Sequence, residues 1–208
     1  RAPLTLGELM PSVTDYMAAL RLLTVPALAF VMWITVARHV GAAIQGSFYV
    51  VYLEGIGISG LMIGLMTTAA GMLGLVGSLS AAPMLRFAAS HWLLLWTTVA
   101  TIVFVVITPL LENVPLLLTA SAIRGWALAA SLVFLISLIA RWAGPGEQGK
   151  AMGLRVTVNQ LISVIVPVVM GAVVEVAGIE VSFYVVGIAA LAIMTASGLW
   201  ARRVRAFD

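Results

Sequence analysis

The sequence contains no cysteine, which excludes thiolate metal sites and disulfides and leaves the redox compartment open. Charge is nearly as scarce: 9% of the 208 residues are Asp, Glu, Lys or Arg, against about 25% in a soluble domain. The two histidines, His39 and His91, are far apart in the chain, and there is no GxSxG, no phosphate-binding loop and no paired-carboxylate site. Enzyme activity is therefore not expected, nor a cofactor, nor a metal. What remains is apolar. A 62% hydrophobic composition and a mean hydropathy of +1.15 describe a membrane protein. The excess of three positive charges rests on a few Lys and Arg placed as membrane topology would place them, so nucleic acid is not an expected partner.

A spanning helix needs about 20 mostly apolar residues, and six segments reach that length: Val25 to Leu53, Ser59 to Leu79, Trp92 to Leu111, Pro115 to Ala140, Ala151 to Val176 and Val181 to Trp200. Turn chemistry separates them, at Glu54-Gly55-Ile56-Gly57, Ala82-Pro83 through His91, Glu112-Asn113-Val114-Pro115, Gly144-Pro145-Gly146 and Gly178. The expected organisation is a leader over residues 1–24, an all-α transmembrane domain over 25–200 and a basic tail over 201–208. Nine of the eleven Lys and Arg fall on one side of these spans, while Glu54, Glu112, Glu175 and Glu180 fall on the other. By the positive-inside rule both termini are expected in the cytoplasm. Trp92, Trp142 and Trp200 at inner ends, with Tyr49, Tyr52, Phe183 and Tyr184 at outer ends, fit interfacial aromatic belts.

Ser12 with Asp15 resembles a helix-capping pair, and Val13, Tyr16, Met17 and Leu20 follow at helical spacing opposite Arg21. This predicts a short amphipathic helix on the cytoplasmic surface; an unstructured leader is the other reading. The first 20 residues hold no continuous apolar core of a secretory signal, and the chain opens on Arg1, as a processed, truncated or engineered piece of a longer protein would.

Two stretches carry a family resemblance. Phe48 to Leu65, FYVVYLEGIGISGLMIGL, resembles the link between the first two helices in a half of a major facilitator superfamily transporter. Ala122 to Leu154 resembles the fourth helix of such a half, with Arg124-Gly125, and the basic loop into the fifth, with Glu147 to Leu154. Asn159, Pro167, Gly171, Gly178 and Phe183 continue the likeness over almost the whole chain. The loop from Gly77 to His91 has only Arg86 as a firm charge and lacks the Gly, Asp and Arg-rich signature usual in the N-terminal half, which favours the C-terminal half. Gln148 replaces an Arg common in the later loop. The resemblance implies six transmembrane helices in a three-plus-three inverted repeat, half of a major facilitator fold, with substrate bound near the midplane against a second six-helix half. That half would be part of the same polypeptide, a partner chain or a second copy. The membrane implied is a bacterial cytoplasmic (inner) membrane.

Arg38 and Arg124 fit neither set of loops. A charge facing lipid at mid-depth costs at least about 2.5–3.5 kcal/mol on insertion scales, so such residues face the bundle or water. At 100° per residue Arg38, Gln45, Tyr49 and Tyr52 share one face of the first helix, with His39 one step round beside Thr35, Ala43 and Gly46. Ser121, Arg124 and Ser131 form a stripe on the fourth helix, and Arg155, Asn159 and Ser163 on the fifth. The candidate substrate-binding residues are Arg38, Gln45, Tyr49, Arg124 and Asn159. Arg124 has an equally good reading as a strut bonding backbone carbonyls, and Asn159 as an interhelical hydrogen-bonding residue. No Asp or Glu reaches mid-depth. Buried arginines without buried acids favour a substrate that brings its own negative charge, since the guanidinium fork holds a carboxylate or phosphate bidentately. Acids on the second half, pairing with these arginines as gating salt bridges, are the alternative. His39 is the one deep side chain whose ordinary pKa lies near neutrality, and it is the candidate proton carrier.

Gly57, Gly60, Gly64, Gly71, Gly74 and Gly77 place small residues three and four apart along the second helix, where helices can approach closely. Pro167 is expected to kink the fifth helix. The function expected is a secondary active transporter half that moves a small organic anion by alternating access. The alternative is a non-transporting membrane subunit, an assembly or scaffold protein that retains the fold.

Overall fold

In a computed structural model, the structure describes residues 17, 19–111 and 113–203. Among the described residues six α-helices follow one another: α1 (Pro26–Gly55), α2 (Gly60–Met84), α3 (Ser90–Val106), α4 (Val114–Trp142), α5 (Gln148–Ala177) and α6 (Ile179–Arg203). Leu22–Thr24 forms a single 3-10 turn before α1. The expected capping pair of the leader, Ser12 and Asp15, lies outside the described residues, as does Glu112.

Local chemistry sets the helix ends. Pro26 and Pro115 open α1 and α4, where a missing N–H costs nothing. Ser59 caps α2 by accepting the Met62 N–H at 3.4 Å. Between helices the chain turns through Gly57, Gly146 and Gly178, whose φ angles of 84°, 83° and 87° suit glycine. Gly178 alone joins α5 to α6. Threonine hydroxyls inside the spans bond back to their own helix, as Thr35 does to the Val31 carbonyl at 2.8 Å and Thr101 to the Thr97 carbonyl at 2.9 Å.

The third span departs from the reading of Trp92 to Leu111 as one helix. Pro109 has no N–H for the Val105 carbonyl and its ring would strike it, so the α-helix stops at Val106 and Thr108–Leu110 continues as a 3-10 turn. Its 17 residues rise about 26 Å, and the turn completes the crossing. The other five helices are each long and apolar enough to span alone. The protein is an integral membrane protein.

Helices α1 and α4 form the interior: Phe30, Ile34, Ala37, Ile44 and Leu53 of α1 and Ala127, Ala130, Phe134 and Leu135 of α4 are at most 1% exposed. Around them, α2 packs chiefly on α4, α5 on α1, and α3 and α6 fill the remaining flank. Phe30 meets Trp200 at 6.4 Å and Tyr52 meets Phe183 at 5.5 Å, so the start of α1 adjoins the end of α6 and the reverse. The domain thus enters and leaves at one end, which carries Arg21, Arg86, Arg141, Lys150 and Arg202, while Glu54, Glu175 and Glu180 occupy the other.

The glycine row of α2 divides in two. Gly77 and Gly74 face α4, where a Cβ on Gly77 would overlap the Trp126 carbonyl and a Cβ on Gly125 would overlap that of Ala70. These glycines let the two backbones touch, and Trp126 Nε1 donates to Ser80 Oγ at 3.0 Å beside them. Gly57, Gly60, Gly64 and Gly71 have nothing within 4 Å and face outward. Along α5 the helix assignment continues unbroken through Pro167.

Gly125→Ala and Gly77→Ala should each destabilise the domain by about 1–3 kcal/mol, because backbone and not a flexible side chain stands in the way. Gly64→Ala should stay within about 0.5 kcal/mol of the parent. Thermal unfolding in detergent checks this, and equal melting temperatures for all three variants would refute the close α2–α4 approach.

Candidate functional site

Arg38 stands 12 residues into α1, about 18 Å from its start. It is 9% exposed. Its Nε donates to Ser131 Oγ at 2.8 Å and its Nη2 to the Leu128 carbonyl at 3.0 Å, both on α4. Ser131 in turn donates to the Leu128 carbonyl at 2.7 Å, so one turn of α4 forms a polar cradle for the guanidinium. Each hydrogen bond to a charged group contributes about 1.5–3 kcal/mol.

A second polar contact lies three turns further out on α1. Tyr49 shares a hydrogen bond of 2.6 Å with Ser121 of α4, and the Arg124 guanidinium lies 4.4 Å from the centre of the Tyr49 ring. Arg124 is 2% exposed and its Nε has no hydrogen-bond partner. A cation held over a desolvated aromatic face gains about 2 kcal/mol. Tyr49 therefore meets α4 twice, as an acceptor face for Arg124 and as a partner for Ser121.

The open side of α1 is one step round. His39 Nε2 and Ser163 Oγ of α5 are 2.7 Å apart. They edge a cleft of about 260 Å³ whose other walls are Ala42, Ala43, Gly46 and Ser47. The small residues at 42, 43, 46 and 47 make that space: larger side chains there would fill the gap between α1 and α5. On α5 below Ser163, at successive turns, are Asn159 and Arg155. Asn159 Oδ1 and Arg155 Nε are both buried without a hydrogen-bond partner. Arg155 is close enough to repel the charges of Arg38 and His39. Among the described residues none of Arg38, Arg124 and Arg155 forms an ion pair.

The residues singled out from sequence thus fall into two groups. Arg38, Tyr49 and Arg124 lie on the α1–α4 seam, where each has its partner on the facing helix. Gln45, half-buried on the same face of α1, has no hydrogen bond among the described residues. His39 and Asn159 belong to the α1–α5 side, with Ser163 and Arg155. The sequence reading did not assign Ser47, Gly46 or Ser163 to a site. The signal for the first two was present in Ala42, Ala43, Gly46 and Ser47, a run of small residues around one side of a helix that is otherwise bulky. No group of three or more His, Asp or Glu that could hold a metal ion occurs among the described residues.

Compared with curated proteins, the sequence has no significant match. Compared with protein families, residues 27–207 match the model of the Major Facilitator Superfamily, a family of transporters. The match begins at the second residue of α1 and runs past the end of α6, taking in both helix seams and the cleft. By that match over most of its length, and by the six apolar helices that carry it, the chain belongs to the Major Facilitator Superfamily.

Proposed function

We propose that the chain is one six-helix half, the C-terminal one, of a secondary active transporter that moves a small organic anion by alternating access. The observation that carries the anion is the cluster of Arg38, Arg155 and His39, of which His39 lines an open cleft, with buried unpartnered polar atoms on Arg155 and Asn159 and no carboxylate paired to them among the described residues. In this reading an anion enters at His39 and Ser163 and takes the free N–H of Arg155, while the amide of Asn159 orients it. Arg38 and Arg124 contribute fixed positive charge from behind, with Tyr49 and Gln45 on the outward path.

The packing supports the three-plus-three repeat. Exchanging α1 with α4, α2 with α5 and α3 with α6 turns the α2–α4 contact into α5–α1 and the α3–α4 contact into α6–α1, and maps α1–α4 and α3–α6 onto themselves. The α1–α3 and α5–α6 contacts lack counterparts of similar extent. Related by that exchange, α2 and α5 are the two least buried of the five long helices. Each also has an exposed small or polar face, Gly60, Gly64, Gly71 and Ser78 on one and Gly149, Gly153 and Gln160 on the other. These faces are where a second half would approach closely. The grouping of cations at one end supports cytoplasmic termini in a bacterial inner membrane.

A second reading, a non-transporting subunit that keeps the fold for packing, draws on the two hydrogen bonds that tie Arg38 to α4. Flux separates the two. In proteoliposomes carrying the complete transporter, small carboxylates or phosphate esters should be taken up, and Arg155→Gln should lower that uptake roughly 10- to 100-fold, the loss of one charged hydrogen bond of about 1.5–3 kcal/mol. Absence of flux with every anion, with the protein folded, would leave the packing reading. His39→Gln should retain a hydrogen bond to Ser163 yet abolish any stimulation of uptake by an imposed pH gradient; Arg38 and Arg155 are the charged groups that face His39. The double variant Gly64→Leu with Gly71→Leu should melt like the parent, since neither position has a neighbour within 4 Å, but should lose transport.

A further inference from the structure

Away from the cleft, a groove of about 360 Å³ runs between α3 and α6 at the basic end of the bundle. Its walls are Trp96 and Val99 of α3 and Met194, Gly198 and Leu199 of α6, and Arg202 stands at its mouth. From Trp92 to Val99 it follows α3 for about 10 Å. Gly198 sets the floor: a Cβ there would stand 3.2 Å from Leu95 Cδ1, so the helices come close beneath the groove while their rims stay apart. Those rims, Trp96 and Leu199, are 65% and 62% exposed.

The mouth is chemically unlike the rest. The Arg202 guanidinium is held over the Trp92 ring at 5.7 Å. It makes no hydrogen bond or ion pair among the described residues, so its planar fork is open to an oxyanion. Two other surface grooves flank Trp33 on α1, and neither is lined by a charged residue. An apolar channel closed by one oriented guanidinium, at the end of the helices where tryptophan marks the interface, has the form of a diacyl anion: phosphate at the mouth, chain along the groove.

We infer that this α3–α6 groove binds an anionic phospholipid, with the phosphate on Arg202 and one acyl chain along Trp96, Val99 and Met194. Trp92 holds the guanidinium in place, and the floor at Gly198, where the helices come close, leaves the chain to lie between the rims. A zwitterionic lipid offers the same phosphate, but its own cation then lies beside Arg202 and weakens the contact. The site is independent of the transport reading, because no residue of the cleft takes part.

Native mass spectrometry of the detergent-purified protein, incubated with equimolar phosphatidylglycerol and phosphatidylcholine, tests the assignment without measuring transport. The parent should retain phosphatidylglycerol about fivefold better, the scale of one basic residue at an anionic surface. Arg202→Gln should abolish that preference and keep some unselective binding. Thr195→Trp, which fills the groove from an exposed position, should lose both lipids. Equal retention by the parent would overturn the proposal. A preference that survives Arg202→Gln belongs to the basic loops and would overturn it equally, as would unchanged binding by Thr195→Trp.

Discussion

A guanidinium deep in hydrocarbon must find acceptors inside the protein, and this requirement organises the bundle. Arg38 finds them on one turn of α4, at Ser131 and the Leu128 carbonyl, and Arg124 finds a substitute in the face of Tyr49 on α1. Each helix thus supplies one arginine and receives the other, some three turns apart. With both ends of the seam fastened, α1 and α4 have little freedom to slide or turn against each other. The apolar residues between, among them Ile44 and Ala127, pack without exposure in the register the arginines set. The remaining helices take the places left around this pair.

Where α1 and α4 are joined by polar side chains, α2 and α4 are joined by the absence of side chains. Gly77 and Gly125 each sit where a methyl group would strike a carbonyl, so contact is between backbones. In a bilayer, lipid chains solvate apolar side chains as well as a neighbouring helix does, and helix association falls to close packing and hydrogen bonds. The α2–α4 seam uses the first and the α1–α4 seam the second. Joined on two sides by such contacts, α4 is the fixed member of the domain. Helix α5, with few buried residues along its length, is held mainly through α1.

Much of this was readable from residue order alone. Six apolar runs of adequate length, the turns at Gly57, Gly146 and Gly178, and the one-sided arrangement of Lys and Arg follow from composition and spacing, and the helices fall where those signals stand. The third span is the exception, because an apolar count does not register that Pro109 ends the α-helical hydrogen bonding at Val106. The site was harder to read for a different reason. Helical periodicity fixes the angle between Arg38 and His39 but not which neighbouring helix each of them meets. That choice is made by the surface of α4, whose Ser131 and Leu128 lie some 90 residues away in the chain. The glycines of α2 show the same limit: their spacing of three, four and seven does not tell them apart, but only Gly74 and Gly77 lie on the face turned to α4.

The balance of charge across the domain has a further consequence. Arg124 is covered almost completely and Arg38 nearly so, and both have their acceptors within the half. Arg155 differs in its surroundings. Its Nε is buried and unbonded, as that of Arg124 is, but no aromatic ring lies against it among the described residues; it adds to the positive charge around His39, and Asn159, one turn on, has an unsatisfied oxygen. A buried donor left unmet costs about 1–3 kcal/mol, more when charged. The six helices therefore hold an incomplete set of interactions at one place, on the side of α1 that is open. Whatever completes that set must present acceptors to Arg155 and a donor to Asn159 together. Water does this weakly, because it carries no charge to offset the cluster. A hydroxylated or protonated anion does it well, and so would an acidic side chain with a neighbouring hydroxyl on an apposed helix. The two differ in mobility: a bound anion can leave and return the cost of the unmet groups, whereas a side chain on an apposed helix would hold one arrangement.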